Sequence, residues 1–247
     1  MSFTPLVSYQ GANSGRGLSP ALWAKQPRDF QDLSVGFGIT DDFLTFDDEN
    51  KWVLTQATAG TAALDVAAKG GVLLLDSASS TNNQGVQGQL GGAAGASSFI
   101  PSATSKIYYE ARIKAADIGS TTCQVFAGLA IVDTSVFASA ANSTANHIGY
   151  EAINSTAVGI HSEKAGTRSS TASAHTLVDD TYVKLGFVVD GLTSVTPFVN
   201  GVAKTAITTN IPIVALTPSF VCHSSGTTDP ILHVDWVSVY QEEQIDN

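Results

Sequence analysis

The sequence has few charged residues, and most of those are acidic. Asp, Glu, Lys and Arg make up 14% of its 247 residues, against about 25% in an average soluble domain. With 12 basic and 22 acidic residues the formal net charge is −10, and no run of Lys or Arg interrupts the excess of acid. Binding of nucleic acid through neutralisation of its phosphates is therefore disfavoured.

Long apolar runs and cysteines are also scarce. No stretch approaches the roughly 18 consecutive apolar residues of a membrane-spanning helix, and the opening MSFTPLVSYQ lacks the basic region and apolar core of a signal peptide. We therefore expect no membrane partner and synthesis in the cytoplasm. Cys123 and Cys222 are far apart and match no local metal motif. We predict two buried free thiols, with a single disulfide between them as the alternative.

From Asp41 onward the chain consists of short apolar runs separated by Gly, Asn, Asp and Ser, which is typical of an all-β protein. Segment 106–114, KIYYEARIK, alternates apolar and polar residues, so one of its faces is predicted buried and the other solvated. Segments 84–98 and 165–176 are rich in Gly, Ala and Ser and are predicted to be loops or weak edge strands. A short helix is predicted at 134–141. The predicted strands are 51–56, 71–76, 106–114, 123–132, 147–153, 157–162, 182–190, 195–200, 202–207, 217–222 and 231–240.

About a dozen strands of this length favour a two-sheet antiparallel sandwich of the jelly-roll kind over residues 41–247. Residues 1–40 have few periodic apolar positions and are predicted to form an arm, mostly extended, with one short helix beginning at Ser19-Pro20. A helix of one or two turns is marginal in water. Leu22 and Trp23 therefore need a surface to pack on, provided either by this chain's own body or by another subunit.

Three motifs occur in order: YVKLGFVVDG at 182–191, VTPFVNG at 195–201 and ILHVDWVSVYQ at 231–241. Together they resemble the concanavalin A-like lectin and glucanase superfamily, in particular its laminarinase and laminin-G types. The resemblance extends over residues 42–241 as architecture. It implies a two-sheet jelly-roll sandwich, and it raises glycan binding and glycoside hydrolysis as candidate activities.

The arm ahead of a Gly-rich sandwich resembles, in style, the proteins that decorate the capsids of tailed phages. This resemblance implies a non-enzymatic structural protein of the virion, a capsid decoration, cement or head-surface protein on the capsid surface. Leu22, Trp23 and Phe30 would anchor the arm to the major capsid protein or to other virion subunits. We also expect a homo-oligomer, a trimer or dimer. The alternative is a carbohydrate-binding module of lectin type with a glycan partner.

Catalytic patterns are missing from the sequence. Laminarinase-type enzymes place their carboxylates in a string E-x-D-x-x-E on one strand, and no such string is present. Glu110 and Glu151 lie near apolar strands, but the residues that follow each of them in sequence supply no second carboxylate. Glu151 is expected to be a solvated strand residue. We therefore predict that the protein is not an enzyme, with a glycoside hydrolase as the minor alternative.

The resemblance also implies one metal site. Sandwiches of this superfamily often hold a structural calcium between the N-terminal segment and the final strand, where Asp235 matches the ligand position. Asp41 or Asp42 would supply a second oxygen, since hard cations bind carboxylates. The alternative is that Asp235 is a solvated strand residue and the other two are loop acids. No other cofactor is expected.

Overall fold

The structure is a computed structural model, and it describes residues 15–24, 26, 35–48, 51–57, 59–78, 80–82, 84–91, 99–118, 123–133, 145–171, 173–224, 226 and 228–242. Within these ranges no helix has the length and apolar character needed to cross a membrane. The predicted helix at 134–141 and the predicted anchor Phe30 lie outside the described residues.

The described chain is built almost entirely of strands. There is one helix, α1 (Pro20–Trp23), and the strands are β1 (Gly36–Asp41), β2 (Trp52–Ala57), β3 (Thr61–Leu64), β4 (Leu73–Asp76), β5 (Gly85–Leu90), β6 (Lys106–Ala116), β7 (Cys123–Ala130), β8 (His147–Ser155), β9 (Ala157–Lys164), β10 (Thr167–Ser170), β11 (His175–Thr176), β12 (Val183–Asp190), β13 (Ser194–Val199), β14 (Val202–Ala203), β15 (Thr217–His223) and β16 (Ile231–Glu242).

The strands form two antiparallel sheets. Sheet A has the order β14-β13-β12-β6-β16-β4-β3, with β1 also paired to β16. Sheet B has the order β10-β9-β8-β7-β15-β5-β2, with β11 also paired to β9. The prediction of an all-β, two-sheet antiparallel jelly-roll sandwich is confirmed.

The core lies between the sheets and follows from the period-two alternation of the strands. On β6 the inward residues are Ile107, Tyr109, Ala111 and Ile113, all in the main apolar cluster. The inward residues of β7 and β8 include Val125, Leu129, Ile148 and Tyr150. Because successive strand residues point to opposite faces, this packing determines which side chains of each sheet face outward.

The N-terminal segment packs on the outer face of sheet A. Leu22 and Trp23 are buried in a cluster with Tyr108 and Tyr240, and the rings of Trp23 and Tyr108 stack with centroids 5.9 Å apart. The backbone N–H of Ser19 and the indole N–H of Trp23 both donate to Oε2 of the fully buried Glu110, at 2.9 and 2.8 Å. The surface on which Leu22 and Trp23 pack is therefore this chain's own body.

Three sequence predictions need correction here. The outward face of β6 was predicted solvated, but Tyr108 and Glu110 are buried because α1 covers them. β1 begins at Gly36, within the range assigned to the arm, because it pairs with β16. Segment 84–98 was predicted as loop or weak edge strand, yet β5 lies inside sheet B between β2 and β15.

The two cysteines are buried and free, as predicted. Burial raises the pKa of the Cys123 thiol to about 12 and also raises the pKa of Cys222. Both thiols therefore stay protonated at neutral pH, and their contribution is to the packing of the core.

Candidate functional site

The outer face of sheet B brings together the strongest cluster of charged side chains in the described chain. His147 and Glu151 point outward from β8, and His161 and Glu163 point outward from β9. The strand register places His147 opposite Glu163, and Glu163 opposite Arg168 of β10. Residues directly opposite each other in an antiparallel pair share a face. Five titratable side chains therefore meet on three neighbouring strands.

Glu151 is the centre of this cluster. Its Oε1 lies 2.5 Å from Nε2 of His147, and its Oε2 lies 3.0 Å from Nη1 of Arg168. The side chain is only 2% exposed. His147 and Glu151 are four positions apart on one strand, and they reach each other because Gly149 between them has no side chain on that face.

Arg168 joins the two carboxylates. Its Nε donates to Oε2 of Glu163 at 2.9 Å, while its Nη1 donates to Oε2 of Glu151 at 3.0 Å. Both carboxylates therefore contact one guanidinium group. The outer face of sheet B thus holds two acids close to each other without the E-x-D-x-x-E string.

The protonation states follow from this geometry. Burial by itself would raise the pKa of Glu151, but the contact with His147 and the charge of Arg168 lower it below its ordinary value. Glu151 is therefore ionised at neutral pH. Burial lowers the pKa of His161, although Glu151 acts in the opposite direction. A neutral His161 agrees with its Nδ1 lying 3.0 Å from Arg168 Nη1, because a guanidinium can only donate.

A cavity of about 220 Å³ opens beside Glu151. On β9 the residue opposite Glu151 is Gly159, so no side chain stands between the carboxylate and the cavity on that side. The opposite neighbour, on β7, is the buried ring of Phe126. The cavity is lined by Glu151, Ile153, Ser155, Ala157, Gly159, His161, Thr171 and Ser173.

The prediction that Glu151 is a solvated strand residue is wrong. Glu151 as a whole residue is 3% exposed, because its partners on β9 and β10 cover it. The alternation of His147, Gly149 and Glu151 on β8 was a signal that could have placed the first two charged groups together. Arg168 was out of reach of that reasoning, because segment 165–176 was assigned to a loop or weak edge strand.

Of the predicted calcium ligands, Asp41 and Asp235 lie on opposite faces of sheet A. Asp41 is opposite Val237 of β16 and faces the core, where its carboxylate accepts from the indole N–H of Trp52 at 2.7 Å and pairs with Lys51 at 2.9 Å. Asp42 is exposed. In the part of the chain that the structure describes, no three His, Cys, Asp or Glu residues are arranged to hold a metal ion.

Asp235 faces outward from sheet A and is held by two protein cations. Its carboxylate pairs with Arg112 at 2.6 Å and with Arg16 at 2.8 Å. Asp235 is buried and its charge is neutralised by these two arginines, so it is not a solvated strand residue. Calcium binding stays a prediction. Leu22 and Trp23 were predicted to contact a partner, but residues of the same chain cover them.

The comparisons with known proteins show the fold. No protein-family model and no curated protein sequence matches this chain. Solved structures do match. A protein of unknown function from Shewanella oneidensis has a TM-score of 0.61 at 12% identity, over 86% of this chain and 90% of its own. An endo-1,3-beta-glucanase from Streptomyces sioyaensis has 0.56 at 14%, over 83% and 96%, and a seed lectin from Lotus tetragonolobus has 0.57 at 10%, over 85% and 100%.

These matches correct two predictions. The prediction that the protein is not an enzyme is contradicted, because several glycoside hydrolases are among the matching structures. That prediction relied on a missing one-strand string, whereas here two carboxylates come from different strands. A structural role in a phage virion has no support among the matches, which include glucanases and lectins. At 10 to 16% identity the likeness shows architecture alone: the chain has the concanavalin A-like jelly-roll fold.

Proposed function

We propose that the protein binds carbohydrate on the outer face of sheet B, in the cavity beside Glu151. The observation that carries this proposal is the placement of an ionised, fixed carboxylate and a neutral imidazole at the edge of a cavity of about 220 Å³. Ligand sites commonly combine a concave surface with a few fixed polar groups.

Each lining group has a use in recognising a sugar. The Glu151 carboxylate is an acceptor for sugar hydroxyls, and Nε2 of His161 carries the proton of the neutral ring, because Nδ1 accepts from Arg168. Ser155 and Ser173 add hydroxyl-bearing side chains to the lining.

Gly159 sets the access to Glu151. A Cβ at this position would lie 2.8 Å from the carbonyl oxygen of Thr171 and 3.1 Å from Nε2 of His161, at the groups that line the cavity. The glycine therefore keeps open the approach of a sugar ring to the carboxylate. The glucanases and lectins with this fold are named for carbohydrates, which supports the choice of ligand class.

Binding is tested on the full-length protein with a glycan array, followed by calorimetric titration of the glycans that bind. We expect Glu151→Gln to weaken binding at least tenfold, because it removes the ionised acceptor. Asp190→Asn is the matched control, since it neutralises an exposed carboxylate at the far end of β12. Gly159→Val gives a second test, because it blocks the approach to Glu151 without removing a charged group. Full binding by both site variants, with unchanged melting temperatures, would reject the site.

Hydrolysis of a glycosidic bond is a second candidate, favoured by the two carboxylates that Arg168 holds together. In glycosidases one carboxyl group protonates the leaving oxygen while the other, ionised, attacks the sugar or activates water. The ionised state of Glu151 fits the second role. Release of reducing ends from a bound polysaccharide, lost in both Glu151→Gln and Glu163→Gln, would support it. Tight binding without any release would leave only binding.

A further inference from the structure

A second and larger cavity lies at the open edge of the sandwich. It is bounded by edge strand β10 of sheet B and by residues 203–209, which follow edge strand β14 of sheet A. Its volume is about 980 Å³, within the range of small-molecule sites of about 300 to 1,000 Å³. It is lined by Ser169, Ser170, Thr171, Ser173, Ala174, Ala203, Lys204, Thr205, Ala206, Ile207, Thr208 and Thr209.

Hydroxyl groups dominate this lining, and some are already fixed in position. The hydroxyls of Ser169 and Thr209 lie 2.5 Å apart, and the Asn210 side-chain amide donates to Ser169 at 2.9 Å. This network links β10 to the segment after β14, so the two walls of the cavity are tied together.

The charge of the lining is opposite to that of the whole chain. The chain carries a net charge of −10, but the one charged residue of this lining is Lys204, and within the described residues its ammonium makes no ion pair. His175 lies close by, and its pKa is lowered by burial and by the charge of Lys204. No carboxylate contributes to that shift, which is consistent with a locally positive cavity.

We infer that this edge cavity is a second ligand site and that its ligand is an anionic saccharide, with sugar hydroxyls on the Ser and Thr lining and a carboxylate or sulfate on Lys204. An apolar ligand would leave the hydroxyl lining unpaired, and a neutral saccharide would make no use of the ammonium. The site goes beyond the proposed function: it shares Thr171 and Ser173 with the cavity beside Glu151, but its lining contains neither Glu151 nor His161.

Because Lys204 is exposed, its contribution to the affinity for an anionic ligand is small. An exposed ion pair contributes a factor of about two to five in affinity. The preference for an anionic over a neutral ligand is therefore of this order for each charge that reaches Lys204. It also falls as ionic strength rises, because exposed charges are screened by salt.

The test is a calorimetric titration of the full-length protein with three oligosaccharides of equal length: an oligogalacturonate, a sulfated oligomer and a neutral one. We expect the wild type to bind at least one anionic oligomer two- to fivefold more tightly than the neutral one, and the two anionic probes distinguish carboxylate from sulfate. Lys204→Met should remove that preference. Lys69→Met, at another exposed lysine, should keep it. Ala206→Phe, which places a ring in the cavity, should weaken binding of the anionic oligomer at least tenfold.

Equal affinity for anionic and neutral oligomers in the wild type would overturn the inference, and so would an anionic preference that survives both Lys204→Met and Ala206→Phe. Glu151→Gln separates this site from the one on the outer face of sheet B. If Lys204→Met abolishes the preference while Glu151→Gln changes no affinity, the edge site stands and the proposal for Glu151 fails. If only Glu151→Gln weakens binding, the edge site fails.

Discussion

Truncation of Trp23 tests whether the N-terminal segment is part of the folded body. The residue is 2% exposed, stacks on Tyr108 and donates its indole N–H to the buried Glu110. Trp→Ala removes this apolar contact and leaves Glu110 with one donor fewer. Replacing a buried large aromatic residue by Ala costs about 3 to 5 kcal/mol, and a hydrogen bond to a charged group accounts for about 1.5 to 3 kcal/mol of it.

We therefore expect Trp23→Ala to lower the melting temperature by about 6 to 20 °C, at about 2 to 4 °C per kcal/mol for a chain of this size. Trp23→Phe keeps an aromatic ring and loses the indole donor, so its decrease should correspond to about 1.5 to 3 kcal/mol. The assay is thermal unfolding followed by circular dichroism. Phe46→Ala, at a partly buried core position, is a control for general loss of packing.

Two results would refute this reasoning. An unchanged melting temperature in Trp23→Ala would mean that the segment is not docked through this residue. A wild-type melting temperature that rises with protein concentration, and that loses this dependence in Trp23→Ala, would mean that Trp23 packs on another copy, because an associating protein is stabilised by mass action. Docking within the chain predicts no such dependence.

Three further predictions concern pH, calcium and thiol chemistry. Burial lowers the pKa of His223 to about 4, below the ordinary value of about 6.5. The unfolded chain therefore binds a proton at this residue more readily than the folded one. The free energy of unfolding should decrease by up to about 3 kcal/mol as pH falls from about 6.5 to about 4. Urea unfolding at pH 7 and pH 4.5 measures this loss, and His223→Gln should reduce it. A calcium ion bound by Asp41, Asp42 or Asp235 in the native state only would stabilise the fold by mass action, so the predicted site requires a higher melting temperature in millimolar calcium than in chelator; the same melting temperature in both would reject it. Burial raises the thiol pKa of Cys123 and Cys222, so labelling by a thiol reagent at pH 8 should be slow until urea unfolds the protein, and fast labelling of the native protein would contradict the burial.

The sequence predicted the strands in which apolar and polar residues alternate within the strand itself. In segment 106–114 every second residue is apolar, and that pattern alone is enough to indicate a strand with one buried face. The same local reasoning found the strand that ends at Asp190-Gly191 and the final strand at 231–240. Their order also carried the resemblance to the concanavalin A-like fold, which the matching structures confirm.

Strand β5 could not be found in this way, whereas β10 is an edge strand of four residues, as the prediction of loops or weak edge strands for 165–176 allowed. Gly85, Gly88 and the polar Gln87 and Gln89 give β5 the composition of a loop, yet it lies inside sheet B because β2 and β15 provide backbone partners on both sides. Pairing between distant segments outweighs local propensity here, since strand formation depends on neighbours that the local sequence does not contain.

The candidate site shows the same division. The sequence determined that β8 carries His147 and Glu151 on one face, but a carboxylate on a strand reads as solvated unless its partners are known. Only the tertiary structure decided that Glu151 is buried and ionised, because Arg168 and His161 reach it from two other strands. Likewise the sequence determined that Leu22 and Trp23 need an apolar surface, and the fold decided that this surface is Tyr108 and Tyr240 of the same chain, since burial depends on residues brought together across the whole sequence.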